Sequence, residues 1–96
     1  MRIAFTGQFT SAAGAEETIT LGCTPCYIKL YNVTTNISYE YFYTGSVSED
    51  IITTGSTGVI TTGGTTLATS ANGFTVAAAA LTTSDVCTYV AYRLEG

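Results

Sequence analysis

The sequence predicts an all-β protein, a small antiparallel β-sandwich or jelly-roll-like single domain over residues 1–96. Three observations carry that prediction. No window sustains apolar residues at the three-and-four spacing of a helix. Thr, Val, Ile, Tyr and Phe dominate the patterned segments, and these are the residues that fit a pleated, half-buried surface. Clusters of Gly, Ser, Thr and Asn divide those segments into short pieces, as the turns of a sandwich do.

Seven strands are predicted, over residues 2–9, 18–21, 26–33, 38–44, 58–62, 73–77 and 86–93. The first begins almost at the N-terminus and ends at the small residues 11–14. In the next two, Thr18 and Thr20 oppose Ile19 and Leu21, and Ile28 and Leu30 oppose Tyr27, Lys29 and Tyr31. That is the period of two expected of a half-buried antiparallel pair, with residues 22–25 as its hairpin hinge. Thr34-Thr35-Asn36 supplies the turn into the fourth strand. Residues 53–70 are mostly Thr, Gly and Ser, and read as a mixture of a flexible or edge-strand region and a loop ordered only against a neighbouring subunit. Asn72-Gly73 is a two-residue turn candidate between residues 67–71 and 74–77. The four alanines at 77–80 are too few to nucleate a helix, so a bulged strand end or a single turn is expected there.

A 96-residue chain makes one domain, and at this size it buries only about two-thirds of the surface its unfolded form exposes. Apolar residues are 46% of the chain and charged residues 10%, against roughly 25% charged in ordinary soluble domains. Such a surface of Thr, Ser, Gly and Tyr suits contact with other subunits. The net charge is −4, and the three basic residues, Arg2, Lys29 and Arg93, are scattered. Neither the basic stripe that nucleic acid requires nor the polybasic segment that an anionic membrane attracts is present. No apolar run approaches the roughly 20 residues of a membrane span. The N-terminus lacks the layout of a signal peptide, and synthesis in the cytoplasm is the expectation. Cys23, Cys26 and Cys87 are an odd number, which favours buried thiols over a disulfide framework.

Cys23-Thr24-Pro25-Cys26 has the spacing of thiol–disulfide oxidoreductases. Those enzymes lower the first thiol's pKa with a helix N-terminus, and here the pattern that follows is a strand. Zinc would need two ligands more, and the chain offers one further cysteine and no histidine. The lack of histidine also removes the commonest general base. Glu16-Glu17 and Glu49-Asp50 are sequence neighbours, so on a strand they point to opposite faces and form no carboxylate dyad. Glu49 and Asp50 also lack the loop that a calcium site uses. No cofactor or metal is therefore expected. Asn32-Val33-Thr34 and Asn36-Ile37-Ser38 match the glycosylation sequon, and both asparagines fit a turn between strands.

Tyr39, Tyr41 and Tyr43 share one strand face, with Glu40 and Phe42 on the other. Either face could line the core. In the alternative, the three tyrosines form an exposed stripe beside Tyr27 and Tyr31, an interface for a subunit or a carbohydrate. Lys29 lies on the face of Tyr27 and Tyr31, which favours the exposed version. Tyr27, Tyr31, Tyr39, Tyr41 and Tyr43 are thus the interface candidates.

Residues 15–32, with Ile19-Thr20-Leu21-Gly22 followed by Pro25 and an apolar-alternating run to Asn32, and residues 73–93, from Gly73-Phe74-Thr75-Val76 to Tyr89-Val90-Ala91-Tyr92-Arg93, together resemble small structural proteins of tailed-phage virions. Cys23 stands where that pattern commonly has an aromatic residue. The resemblance implies a virion component and no catalysis. Size and composition then favour a capsid decoration (cement) protein at the capsid surface, which binds the major capsid protein as a homo-oligomer, a trimer being favoured. The alternative is a tail or fibre adhesion module whose tyrosines stack on host glycan. A third expectation, from a different class, is a small redox protein using Cys23 and Cys26.

Overall fold

The computed structural model describes residues 2–12, 15–42, 51–64, 66–82 and 84–94. Nine strands occupy them: β1 (Arg2–Thr10), β2 (Glu17–Thr20), β3 (Tyr27–Asn32), β4 (Ile37–Phe42), β5 (Ile51–Thr54), β6 (Ile60–Thr62), β7 (Leu67–Ser70), β8 (Gly73–Val76) and β9 (Val86–Leu94). The all-β fold is as the sequence predicts. The strands form two antiparallel sheets, one ordered β1-β9-β3-β4-β5-β6 and the other β2-β8-β7. β1 and β9 pair along their full length, from Arg2↔Leu94 to Thr10↔Val86, so the first and last strands lie side by side.

The period of two in the sequence orients β2 and β3 correctly but does not choose their partners. β2 and β3 are not a hairpin: β2 pairs with β8 in the small sheet, and β3 lies between β4 and β9 in the large one. Residues 22–25 therefore cross between sheets. The Leu21 and Gly22 N–H groups both donate to the Asn72 carbonyl, at 2.7 and 2.9 Å, which ties the end of β2 to the β7–β8 turn. Gly22 then leaves with φ of 80°, a left-handed conformation glycine adopts without steric cost.

The β7–β8 turn sits one residue earlier than Asn72-Gly73. Ser70 pairs with Gly73, which leaves Ala71 and Asn72 as the loop, and neither has a positive φ. Gly73 is glycine for another reason: a Cβ there would collide with the backbone carbonyl of Ile19 on β2. Residues 51–54 form a strand that the sequence reading left without one. Ile51 of β5 is buried against the core, and the short β6 follows as a fully exposed edge. Residues 78–80 make one 3₁₀ turn, the second of the two outcomes expected there.

The core lies between the sheets. Ile28, Leu30, Tyr39, Tyr41, Ile51, Cys87 and Ala91 of the large sheet meet Leu67, Phe74 and Val76 of the small one. Phe74 stands edge-on to Tyr89 across the gap, with ring centroids 5.4 Å apart and planes at 79°. At one end, where the β1–β2, β3–β4 and β8–β9 connections meet, the core is closed by polar groups. Asn32 and Asp85 have no exposed surface. Asp85 Oδ2 accepts hydrogen bonds from Asn32 Nδ2 (2.9 Å) and the Thr82 N–H (2.8 Å), and the Thr82 hydroxyl donates to Oδ1. Ser11 Oγ accepts from the Asp85 N–H (2.9 Å) and donates to the Thr82 carbonyl (2.6 Å).

Candidate functional site

The β3–β4 register decides which side chains share a face. Tyr27 pairs with Phe42, Lys29 with Glu40 and Tyr31 with Ser38, whereas Ile28 pairs with Tyr41 and Leu30 with Tyr39. Directly paired residues of an antiparallel ladder point the same way. Tyr27, Lys29 and Tyr31 therefore face outward with Ser38, Glu40 and Phe42, while Tyr39 and Tyr41 face the core.

This corrects the expected tyrosine stripe. Tyr39 and Tyr41 are 7% and 8% exposed, and they lie on the opposite side of the sheet from Tyr27 and Tyr31. Tyr43 falls outside the described residues. Each face of residues 37–42 carries an aromatic residue, Phe42 on one and Tyr39 and Tyr41 on the other, so aromatic content alone could not orient them; the Ile28–Tyr41 and Leu30–Tyr39 pairings do. Burial, and after it the nearby Cys87 and Asp85, raise the Tyr39 hydroxyl's pKa. Truncating Tyr41 to Ala should accordingly cost the isolated fold roughly 3 kcal/mol in denaturant unfolding, as a core aromatic does. The same measurement on Tyr31→Ala should show a far smaller loss.

The outward face carries an aromatic cluster that sequence reasoning only half found. Tyr27 is edge-on to Phe42, with centroids 5.2 Å apart, and tilted against Tyr92 of β9 at 5.6 Å. Phe42 and Tyr92 were not candidates, because their place beside Tyr27 depends on two inter-strand registers that no local pattern encodes. The Tyr27 hydroxyl donates to Glu40 Oε2 at 2.8 Å. Burial, then this hydrogen bond and the charge of Glu40, push its pKa up to about 12, which keeps it a proton donor. Phe42 is 38% exposed and Tyr31 36%, and Val59 and Ile60 near the β6 edge are 63% and 65%.

Below the cluster, a groove of 470 Å³ runs between the β3–β4 and β5–β6 turns, lined by Lys29, Tyr31, Asn36, Ser38, Thr54 and Ser56, among others. The Tyr31 hydroxyl donates to Asn36 Oδ1 at 2.5 Å, and Asn36 takes a left-handed φ of 60°. The outer face of the small sheet is different in kind: its outward positions on β2 and β7 are Thr18, Thr20, Ala68 and Ser70, all exposed.

The three cysteines form no disulfide with one another and differ in their surroundings. Cys23 and Cys26 are half-buried in the crossing between the sheets, and β3 begins directly after them, with the Cys26 N–H bound to the Tyr92 carbonyl at 2.8 Å. Cys87 is buried, and burial, then the nearby charges of Asp85 and Glu17, push its thiol up to about 11, away from the reactive thiolate. Among the described residues no group of three or more His, Cys, Asp or Glu could hold a metal ion, and no helix is long and apolar enough to cross a membrane. Of the two sequon asparagines, Asn32 is fully buried rather than a turn residue.

These features define a small β-sandwich with one aromatic outer sheet face and one Thr/Ser-rich face. Comparison with known proteins finds no matching family model, no matching curated protein and no matching solved structure.

Proposed function

We propose that this protein is a non-enzymatic structural component of a phage virion, a decoration (cement) protein that binds and stabilises the shell of the major capsid protein as an oligomer. The reading is supported by the resemblance of residues 15–32 and 73–93 to small virion proteins. The observation that carries it is the aromatic cluster of Tyr27, Phe42 and Tyr92 on the outer face of the large sheet. Tyr and Phe are enriched at the buried centre of protein interfaces because they bring large, rigid contact area together with, in Tyr, a polar tip. A face built this way recovers most on docking to a preformed protein surface, and each copy placed around a capsid axis would bury what it cannot cover alone.

Co-sedimentation with capsids lacking the protein tests the reading directly. Wild type should bind at many copies per particle. Phe42→Ala and Tyr27→Ala should each weaken binding by about 1–2 kcal/mol, or roughly 5- to 30-fold, while Thr20→Ala on the other sheet leaves it unchanged. Failure of the wild type to bind capsids would remove the cement reading. The second reading, an adhesion module for host glycan, is favoured by the polar groove, where Tyr31 offers a ring face and Lys29, Asn36 and Ser38 offer hydrogen-bonding groups. Glycan binding abolished by Tyr31→Ala, with only a few copies per particle, would favour that reading instead.

A further inference from the structure

The large sheet ends on one side in the three-residue β6 and on the other in the nine-residue β1. The small sheet's edges, β2 and β7, have four residues each. Short edges offer little template for pairing, whereas a long regular one is normally blunted by a proline, a bulge or inward-pointing charge. β1 has none of these. Its register against β9 runs unbroken through nine consecutive pairs, and its only charged residue is Arg2, at one end.

The direction of its free backbone groups follows from two hydrogen bonds. The Val33 N–H donates to the Val86 carbonyl and the Ser11 N–H to the Asp85 carbonyl, each at 2.8 Å. Hydrogen-bonded positions alternate along an antiparallel ladder. Even-numbered residues of β9 therefore bond to β3 and odd-numbered ones to β1, where their partners are the odd-numbered Ile3, Phe5, Gly7 and Phe9. The even-numbered residues, Arg2, Ala4, Thr6, Gln8 and Thr10, turn their N–H and C=O groups to the open edge. Ala4, Thr6, Gln8 and Thr10 are all exposed.

We infer that β1 pairs with β1 of a second copy of this chain, antiparallel about a two-fold axis through Thr6, joining two large sheets into one. This register sets Thr6 against Thr6, Ala4 against Gln8 and Arg2 against Thr10, and uses the whole strand to make about ten N–H···O bonds. The strand suits its own copy. The two Arg2 residues fall at opposite ends, so no like charges meet. On the core side each Phe5 faces the other copy's Gly7, where the place of a side chain is taken by the Tyr89 ring, so aromatic rings meet across the axis. An edge strand can pair with itself only about a two-fold axis, and the inference therefore assigns a dimer where the sequence favoured a trimer. It is independent of the capsid reading and is tested on the isolated protein.

Sedimentation equilibrium over about 1–100 µM, where a concentration-dependent assembly shows itself, should give a species of twice the chain mass. Thr6→Pro removes an outward N–H, and Thr6→Lys brings two ammonium groups together at the axis; neither touches the β9 ladder. Both should be monomeric, or weakened at least about 10-fold, with unchanged circular dichroism and thermal melting. In a Cys23→Ser, Cys26→Ser background, Thr6→Cys should oxidise to a linked dimer, since paired Cα atoms about 5.5 Å apart lie within disulfide reach. A wild type that stays monomeric at the highest concentration, forms a trimer, or gives a dimer indifferent to both substitutions overturns the proposal.

Discussion

Phe74→Ala is expected to lose about 4–5 kcal/mol of stability, at the upper end for aromatic truncation in a core. Phe74 has no exposed surface and is the largest of the fully buried side chains. It belongs to β8, the central strand of the small sheet, and its ring meets Tyr89 on β9 of the large one. Removing it takes away much of what holds the small sheet in place, and the two backbones cannot close the gap without breaking ladders on either side. Domains of this kind have only about 5–15 kcal/mol in total, so the variant should be largely unfolded at moderate temperature. Urea denaturation of wild type, Phe74→Ala and Phe74→Leu checks this. Phe74→Leu should recover more than half of the loss; a melt of Phe74→Ala like that of wild type would show that the sheets are held otherwise.

The second large effect belongs to Asp85. Its carboxylate is held below the ordinary value of 3.8, first by the Thr82 hydroxyl, then by the Asn32 amide and the Thr82 N–H, against an opposing effect of burial. A depressed folded-state pKa contributes stability that is fully present above the unfolded value and is lost as pH falls through the folded one. Acidification below 3.8 should therefore progressively destabilise the protein. Asp85→Asn keeps an acceptor for the Asn32 amide and the Thr82 N–H and sets its NH₂ against the Thr82 hydroxyl, which can turn from donor to acceptor; with the charge-assisted bonds lost, this variant should be less stable at neutral pH and its stability should depend less on pH in the acid range. Asn32→Ala, which leaves one lone pair of Asp85 unanswered, should cost about 1–3 kcal/mol. Denaturant midpoints measured from about pH 2 to pH 7 decide it; an Asp85→Asn protein with the wild-type acid profile would assign that profile to other carboxylates.

Asp85 and Asn32 also show where sequence reading stops. Asn32 read as a turn residue between two strands, and nothing in the local sequence singled out Asp85. They meet only because β3 and β9 are neighbours and the connections after Thr10 and before Val86 converge. The aromatic cluster is a second case. Tyr27 was legible as an outward residue from its alternation with Ile28, but Phe42 and Tyr92 join it through registers with β4 and β9 that are fixed by the whole core.

The sequence by itself determined the all-β class, most of the strands, and the inward and outward sides of β2 and β3. Each follows from short-range chemistry: a period of two, β-branched and aromatic composition, and residues suited to turns. Only the tertiary structure decided that β2 and β3 belong to different sheets, that Ile51 opens a strand of its own, and that Tyr39 and Tyr41 face the core. Strand pairing is a contact between segments distant in sequence, and a shift of one residue in register turns every side chain to the other face. Local pattern is blind to that choice, and the packing of Phe74, Ile28 and Leu30 between the two sheets makes it.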